Sequence, residues 1–224
     1  MNILHHEEAY PLAEERVNAA IHGLAALLGL AGTVFLIVQA NAEGRAGALP
    51  AAIVYGAALV LLFAFSTLQH AISHPSIKQV FASLDHCGIF LLIAGTYTPF
   101  CLLLPPGQAL ILLVVIWSVA AAGIGVQVMA FLAGRAADYE RFAFLFYLAM
   151  GWLPILLAGT ELVRALAPLG LALLVAGGLA YSVGVAFYLW KRLPFGHAVW
   201  HLFVVAGSAF HFFAILLYVI PERA

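Results

Sequence analysis

Four residues of an otherwise apolar chain, His70, Asp85, His197 and His201, carry side chains able to bind a metal ion or move a proton. His197 and His201 are four residues apart, so on a helix they share one face, the spacing that lets two imidazoles reach one ion. A third imidazole and a carboxylate at the same depth would complete a zinc site of three histidines with a fourth position open to water. All four lie in or beside strongly apolar stretches, where an ionisable side chain is costly and is a functional candidate by default. Each also has a plainer reading. The histidine pair could hydrogen-bond backbone or headgroups, a lone His70 could bond to a neighbouring helix, and Asp85 could be a first-turn carboxylate with Ser83 as the helix cap. The case for a site rests on whether the fold brings them together.

The chain of 224 residues is 65% hydrophobic and 8% charged, with a mean hydropathy of +1.08. Soluble domains carry about a quarter charged residues, so this chain is expected to live in a bilayer. Seven segments reach the roughly 20 apolar residues that a membrane-spanning helix needs: Val17 to Gln39, Pro50 to Ser73, Leu84 to Leu104, Ala109 to Ala133, Phe142 to Gly159 with Pro154 inside it, Leu169 to Trp190, and Ala198 to Ile220. The runs are continuously apolar rather than alternating, which argues against strands. The expected fold is an all-α integral membrane protein, a seven-helix bundle spanning 17–220. A short polar tail, 1–16, would precede it and another, 221–224, would follow, with no soluble domain at either end. The opening MNILHHEEAYPLAEER is polar and acidic and does not read as a secretory signal.

Loop cations set the orientation. With the amino terminus inside, the cytoplasmic segments hold Arg16, Lys78, Arg135, Arg141, Lys191 and Arg192, against Arg45, Arg164 and Arg223 outside. This favours a multi-pass protein of the inner, cytoplasmic membrane with its carboxyl terminus external. His70 then ends helix two, Asp85 opens helix three, and His197 and His201 begin helix seven, all at the cytoplasmic edge. Flipping the topology would move all four together. Ser66 lies one turn deeper than His70 on the same face.

Other polar residues rank lower. His22 and Asn18, with Glu15 and Arg16 beside them, sit at the same depth in helix one and are either supports of the site or interface anchors. His86 is turned about 100° from Asp85, and His74 flanks the site. His211 is three turns deeper than His201 and reads as a buried hydrogen-bonder. His5 and His6 read as solvated tail, and Trp117, Trp152, Trp190 and Trp200 as packing or interface aromatics. The paired glycines at 29 and 32, 123 and 125, and 177 and 178 read as close helix packing. Cys87 and Cys101, about 21 Å apart along one helix at 1.5 Å per residue, cannot bridge and read as free thiols. A net charge of -1 offers nothing to nucleic acid.

The stretches EERVNAAIHG at 14–23, STLQH at 66–70, LDHCGIFLLIAGTYTPF at 84–100 and GHAVWHLFVVAGSAFHF at 196–212 resemble the hemolysin III family, the bacterial branch of the progestin and adiponectin receptor superfamily. The specific elements are a serine one turn before a histidine, an aspartate opening helix three and HxxxH opening helix seven; the middle helices match only in hydropathy. The resemblance implies seven helices with a cytoplasmic amino terminus and zinc held by His70, His197 and His201. It also implies that Asp85 contacts the water polarised by the metal and that Ser66 lies beside the site. The chain lacks the long amino-terminal domain of the adiponectin receptors, which argues against a receptor role.

Three functional classes follow from these residues. The first is a zinc-dependent amidase or esterase acting on a membrane lipid near headgroup depth, ceramidase-like, with Asp85 as proton acceptor and Ser66 as hydrogen-bond donor to the developing oxyanion. The second is a non-catalytic, zinc-stabilised membrane protein or sensor of lipid homeostasis. The third is a pore or metal conductor, which would need polar residues through to the far side.

Overall fold

The computed structural model describes residues 10–221; His5, His6 and Arg223 lie outside the described residues. It consists of seven helices: α1 (Leu12–Glu43), α2 (Ala48–Ala71), α3 (Pro75–Phe100), α4 (Pro106–Leu132), α5 (Ala136–Ala165), α6 (Pro168–Leu189) and α7 (Gly196–Tyr218). A single 3-10 turn, Cys101–Leu103, follows α3, and no strand occurs among the described residues. All seven helices are long and apolar enough to cross a membrane. The protein is an all-helical, multi-pass membrane protein.

Two boundaries differ from the sequence expectation in ways that matter for the site. α1 begins at Leu12 rather than Val17, so Glu14 and Glu15 are helical residues, in the first turn where carboxylates are favoured by the helix dipole. α3 begins at Pro75 rather than Leu84. Proline at the first helical position starts the helix, but the following SIKQVFAS turns are too polar to register as part of an apolar span. Asp85 therefore lies ten residues into α3 and is not a first-turn carboxylate. Ser83 is a buried mid-helix residue, 3.4 Å from Gln127 Nε2, which donates to its hydroxyl, and does not cap the helix. α5 is also longer than expected and breaks at Ala158 (φ -145, ψ 16), a turn beyond Pro154.

α1, α2 and α3 pack in succession, α6 pairs with α7, and α1 meets α7 to close the bundle. Outward faces are apolar: Leu24, Leu27, Leu28 and Val34 on α1, and Leu110, Val114 and Met129 on α4, are exposed as they would be to lipid. The inward stripe of α1 runs Glu14, Glu15, Asn18, His22, Ala25, Gly29, Thr33, Leu36, Ala40. Its first half is polar and its second half, apart from Thr33, is small or apolar, so the ionisable residues of α1's inward face gather at the histidine end.

The glycine pairs behave as packing residues with one exception. A Cβ on Gly177 would meet the His211 ring at 2.2 Å, and Gly29, Gly32, Gly123 and Gly178 each approach a neighbouring side chain, whereas Gly125 faces open space. His211, seated against Gly177, donates from Nε2 to the Leu174 carbonyl at 3.1 Å, the buried hydrogen-bonding role expected of it. Cys87 and Cys101 are free and buried.

The end of the bundle opposite the histidines is tied by one cation. The α1–α2 turn is built on left-handed Gly44 (φ 66) and Gly47 (φ 84), and Arg45 between them donates to the Val219 carbonyl at 2.7 Å and to the Leu102 carbonyl at 2.6 Å. This fork satisfies carbonyls at the ends of α7 and of the turn after α3. Arg45→Ala is expected to lower stability by about 2 kcal/mol, the scale of hydrogen bonds to a charged group, measured by thermal unfolding in detergent. Arg45→Lys should recover only part, because an ammonium cannot fork to both carbonyls.

Candidate metal centre

His70 comes from the last turn of α2, and His197 and His201 from the first turns of α7. The reversal between α6 and α7 occupies only residues 190–195 and holds Phe195 in a left-handed conformation (φ 56). This tight turn delivers the first residues of α7 to the level at which α2 ends. One ring nitrogen from each histidine lies within 4.8 Å of the other two. The closest pair, His201 Nε2 and His70 Nε2, are 3.0 Å apart. Nitrogens bound to one ion at about 2.0–2.1 Å would sit roughly 3.3 Å apart in tetrahedral geometry, so little movement separates this arrangement from a ligated one. His70 and His201 are buried and His197 is partly buried.

The hydrogen bond on His70 tests whether the residues suit a metal. Its Nδ1 is 2.6 Å from Glu15 Oε2. A carboxylate only accepts, so Nδ1 carries the proton and Nε2 presents a lone pair. This is the carboxylate–histidine arrangement that fixes the tautomer of a ligand and strengthens it as a donor. Glu15 Oε1 in turn pairs with Lys78 Nζ at 3.0 Å, and Lys78 donates to the Gln69 carbonyl at 2.8 Å. A buried carboxylate is thus matched by a cation from α3 and a ring proton from α2. Three imidazoles with this support could hold a metal ion.

His197 is held twice by the amino-terminal region. Its ring Nδ1 is 2.9 Å from the Tyr10 hydroxyl, and its backbone N–H donates to Glu14 Oε1 at 3.2 Å. The second contact supplies what α7 lacks, since Phe195 gives no side-chain cap. His22 packs its ring on that of His201 with centroids 3.7 Å apart.

The remaining expected residues fall in different places. Asp85 and His86 line a cavity of about 650 Å³ that also has His197 and His201 in its wall. His86 additionally accepts a hydrogen bond at its carbonyl from the Tyr147 hydroxyl at 3.4 Å. Ser66 is fully buried, with its hydroxyl enclosed, and is not on the cavity wall. His74 is exposed at the start of α3. Asn18 and His22, left between a supporting and an anchoring role, are buried beside the histidines. Tyr10, Glu14 and Lys78 were not singled out. Lys78 sat in a stretch read as loop and Tyr10 in one read as tail, but the spacing of residues 15, 18 and 22 along one helix face was available as a signal.

The cavity lies mainly among α3, α5, α6 and α7, with Glu14 and His22 of α1 and Leu62 and Gln69 of α2 also in its wall. It runs from Tyr10 and Lys191 at the histidine end to Ile155, Leu162 and Leu174 toward the other. Its volume is that of a site for a ligand of drug-like size, and its wall joins apolar side chains to a few polar groups.

Residues 10–212 match the family model described as haemolysin-III related. The chain belongs to the hemolysin III family. It is 46% identical over 212 residues to "Hemolysin-3" of Bacillus cereus, covering 94% of each chain. It is 42% identical to the "Hemolysin-3 homolog" of Bacillus subtilis (strain 168), covering 93% of this chain and 96% of that one. The human "Monocyte to macrophage differentiation factor" is 34% identical over 176 residues, 74% of this chain and 68% of that one, which supports the relation to the progestin and adiponectin receptor superfamily. In this hemolysin III protein the family match runs from Tyr10, which touches His197, to Phe212, one residue past His211.

Protein purified without a histidine tag is expected to carry about one divalent metal ion per chain by elemental analysis. The His197→Ala, His201→Ala double variant should carry none, because a single imidazole remains.

Proposed function

We propose that this hemolysin III protein is a zinc-dependent hydrolase acting on the amide or ester of a membrane lipid, in the cytoplasmic membrane with its amino terminus inside. The observation that carries this reading is the position of His197 and His201. They are members of a three-imidazole donor group and at the same time part of the wall of a cavity that is apolar along most of its length. A donor group that only tied helices together would have no need of such a cavity.

Imidazole donors suit zinc among the available metals. Zinc held by three neutral histidines supplies a Lewis acid that polarises a carbonyl and lowers the pKa of a coordinated water to about 7. The chain's own residues do the rest. Asp85 shares the cavity with the two α7 histidines, and in this reading its carboxylate orients the attacking water and takes its proton. Ile155, Leu162 and Leu174 hold an acyl chain away from water, and Lys191 and Arg192 at the histidine end face the headgroup. The oxyanion role expected of Ser66 would need its hydroxyl open to the cavity, and it is enclosed; Ser66 supports the site from behind.

A non-catalytic, zinc-stabilised membrane protein is the second reading, favoured by His70, which lies off the cavity wall and ties α2 to α7. A conductor is disfavoured by the leucines and isoleucine at the far end of the cavity.

Asp85→Asn is expected to retain metal and to lose lipid amide or ester turnover by about 100-fold or more, the scale of general base catalysis. The measurement is release of fatty acid from ceramide and ester lipids in mixed micelles, alongside metal content. Equal turnover by the variant and the wild type would sink the mechanism, while absence of turnover in both with zinc bound would favour the structural reading.

A further inference from the structure

A metal occupies one nitrogen of each ligand histidine, and the second nitrogen of each then decides how firmly the ring is held. For His70 that nitrogen bonds to Glu15 at 2.6 Å, and for His197 it bonds to Tyr10 at 2.9 Å. The third case is different. His201 Nε2 faces His70 Nε2 at 3.0 Å, and His201 Nδ1 is buried with no hydrogen-bond partner among the described residues. The ring lying on it is His22, 2% exposed, whose two nitrogens also lack partners. Four residues earlier on the same face of α1 is Asn18, 0% exposed, with both amide atoms unpartnered. Native proteins satisfy at least nine in ten buried polar groups, and here three such residues meet.

We propose that the first half of α1, with Tyr10 ahead of it, is the positioning shell of the metal site: Glu15 holds His70, Tyr10 holds His197, and His22 with Asn18 holds His201. This rests on the reading of the three histidines as metal ligands.

Proton bookkeeping explains why the third partner is unsatisfied. Without metal, His70 Nε2 is a bare acceptor, because Glu15 fixes the proton on Nδ1. His201 Nε2–H then donates to it, and His201 Nδ1 carries no proton. A metal between the two rings needs the Nε2 lone pair of His201, so the proton moves to Nδ1 and requires an acceptor. A turn of the His22 ring, which lies over the His201 ring with centroids 3.7 Å apart, brings one of its nitrogens to that proton, and Asn18 fixes the His22 tautomer directly or through a water of the kind that bridges buried polar groups. His197 follows the same rule: with Nε2 on the metal, its Nδ1–H donates to the Tyr10 oxygen. The register of the helices agrees. Gly23 lies against Thr67, and His22 stands edge-on to Phe63 with ring centroids 5.0 Å apart, which sets His22 beside the last turns of α2. Residues 15 and 22 are two helical turns apart on one face, so one rigid element serves both His70 and His201.

The test is zinc affinity by chelator competition, with thermal unfolding of the metal-free and zinc-loaded protein, for wild type, Tyr10→Phe, His22→Phe, His22→Gln and the lipid-facing control Leu27→Ala. Tyr10→Phe and His22→Phe are expected to weaken zinc binding 10- to 100-fold each, the usual loss when the outer partner of a ligand is removed. His22→Gln, which keeps an acceptor, should recover part, and Leu27→Ala should bind as the wild type does. The metal-free unfolding temperature of His22→Phe should match the wild type and that of Tyr10→Phe should fall only slightly, with the gain on adding zinc reduced in both. Unchanged affinity in both phenylalanine variants overturns the inference, as does an equal loss of stability with and without metal, which would mark mere packing. Wild-type protein that takes up no zinc overturns the metal reading itself, and with it this shell.

Discussion

An apolar bundle has no solvent to share a buried charge, so every ionisable group inside it must find its partner in another helix. The carboxylate of Glu15 shows how this constraint organises the molecule. It lies between the ring of His70 and the ammonium of Lys78, and these residues belong to α1, α2 and α3. Removing the Lys78 ammonium would leave the buried Glu15 carboxylate with the His70 ring alone, which is more costly than the net gain from the contact itself. The arrangement therefore fixes the register of three helices at one end, and it fixes the orientation of the histidine that α7 must meet. The opposite end is held without an ion pair, by backbone carbonyls gathered around the Arg45 guanidinium.

Much of the fold was legible because the bilayer is a demanding solvent. Seven apolar runs of sufficient length specify seven helices, since no other backbone arrangement satisfies its own hydrogen bonds over that span without closing into a barrel. What hydropathy cannot mark is where a helix continues beyond the apolar depth. The polar turns from Pro75 onward belong to α3 and those from Leu12 belong to α1, and both were read as connections. That error has a common cause, and it hid Lys78 and Glu14, whose contacts depend on being helical.

The site was legible to a different degree. The spacing of His197 and His201 and the topology sufficed to bring His70 to them, and the donor group forms as expected. Asp85 reaches the same cavity, though from the middle of a helix and not from its first turn. Ser66 shows the limit of reasoning from helix faces alone: sharing the face of His70 placed it correctly in depth, but not on the open side of the histidines. Partners such as Tyr10 come from segments with no periodic pattern and could not be inferred from spacing. The cavity itself is space left between helices, which a hydropathy profile does not record.

The missing cap of α7 has a consequence for how the protein is made. The first residues of α7 find their acceptor on Glu14 and their ring partners on Tyr10 and His70, so α7, made after α1 and α2, completes a surface that those two prepare. A nascent chain ending before Gly196 holds one of the three imidazoles and cannot retain an ion through this group. The three-imidazole group therefore exists only once α7 has docked on α1 and α2, so its formation marks completed helix assembly.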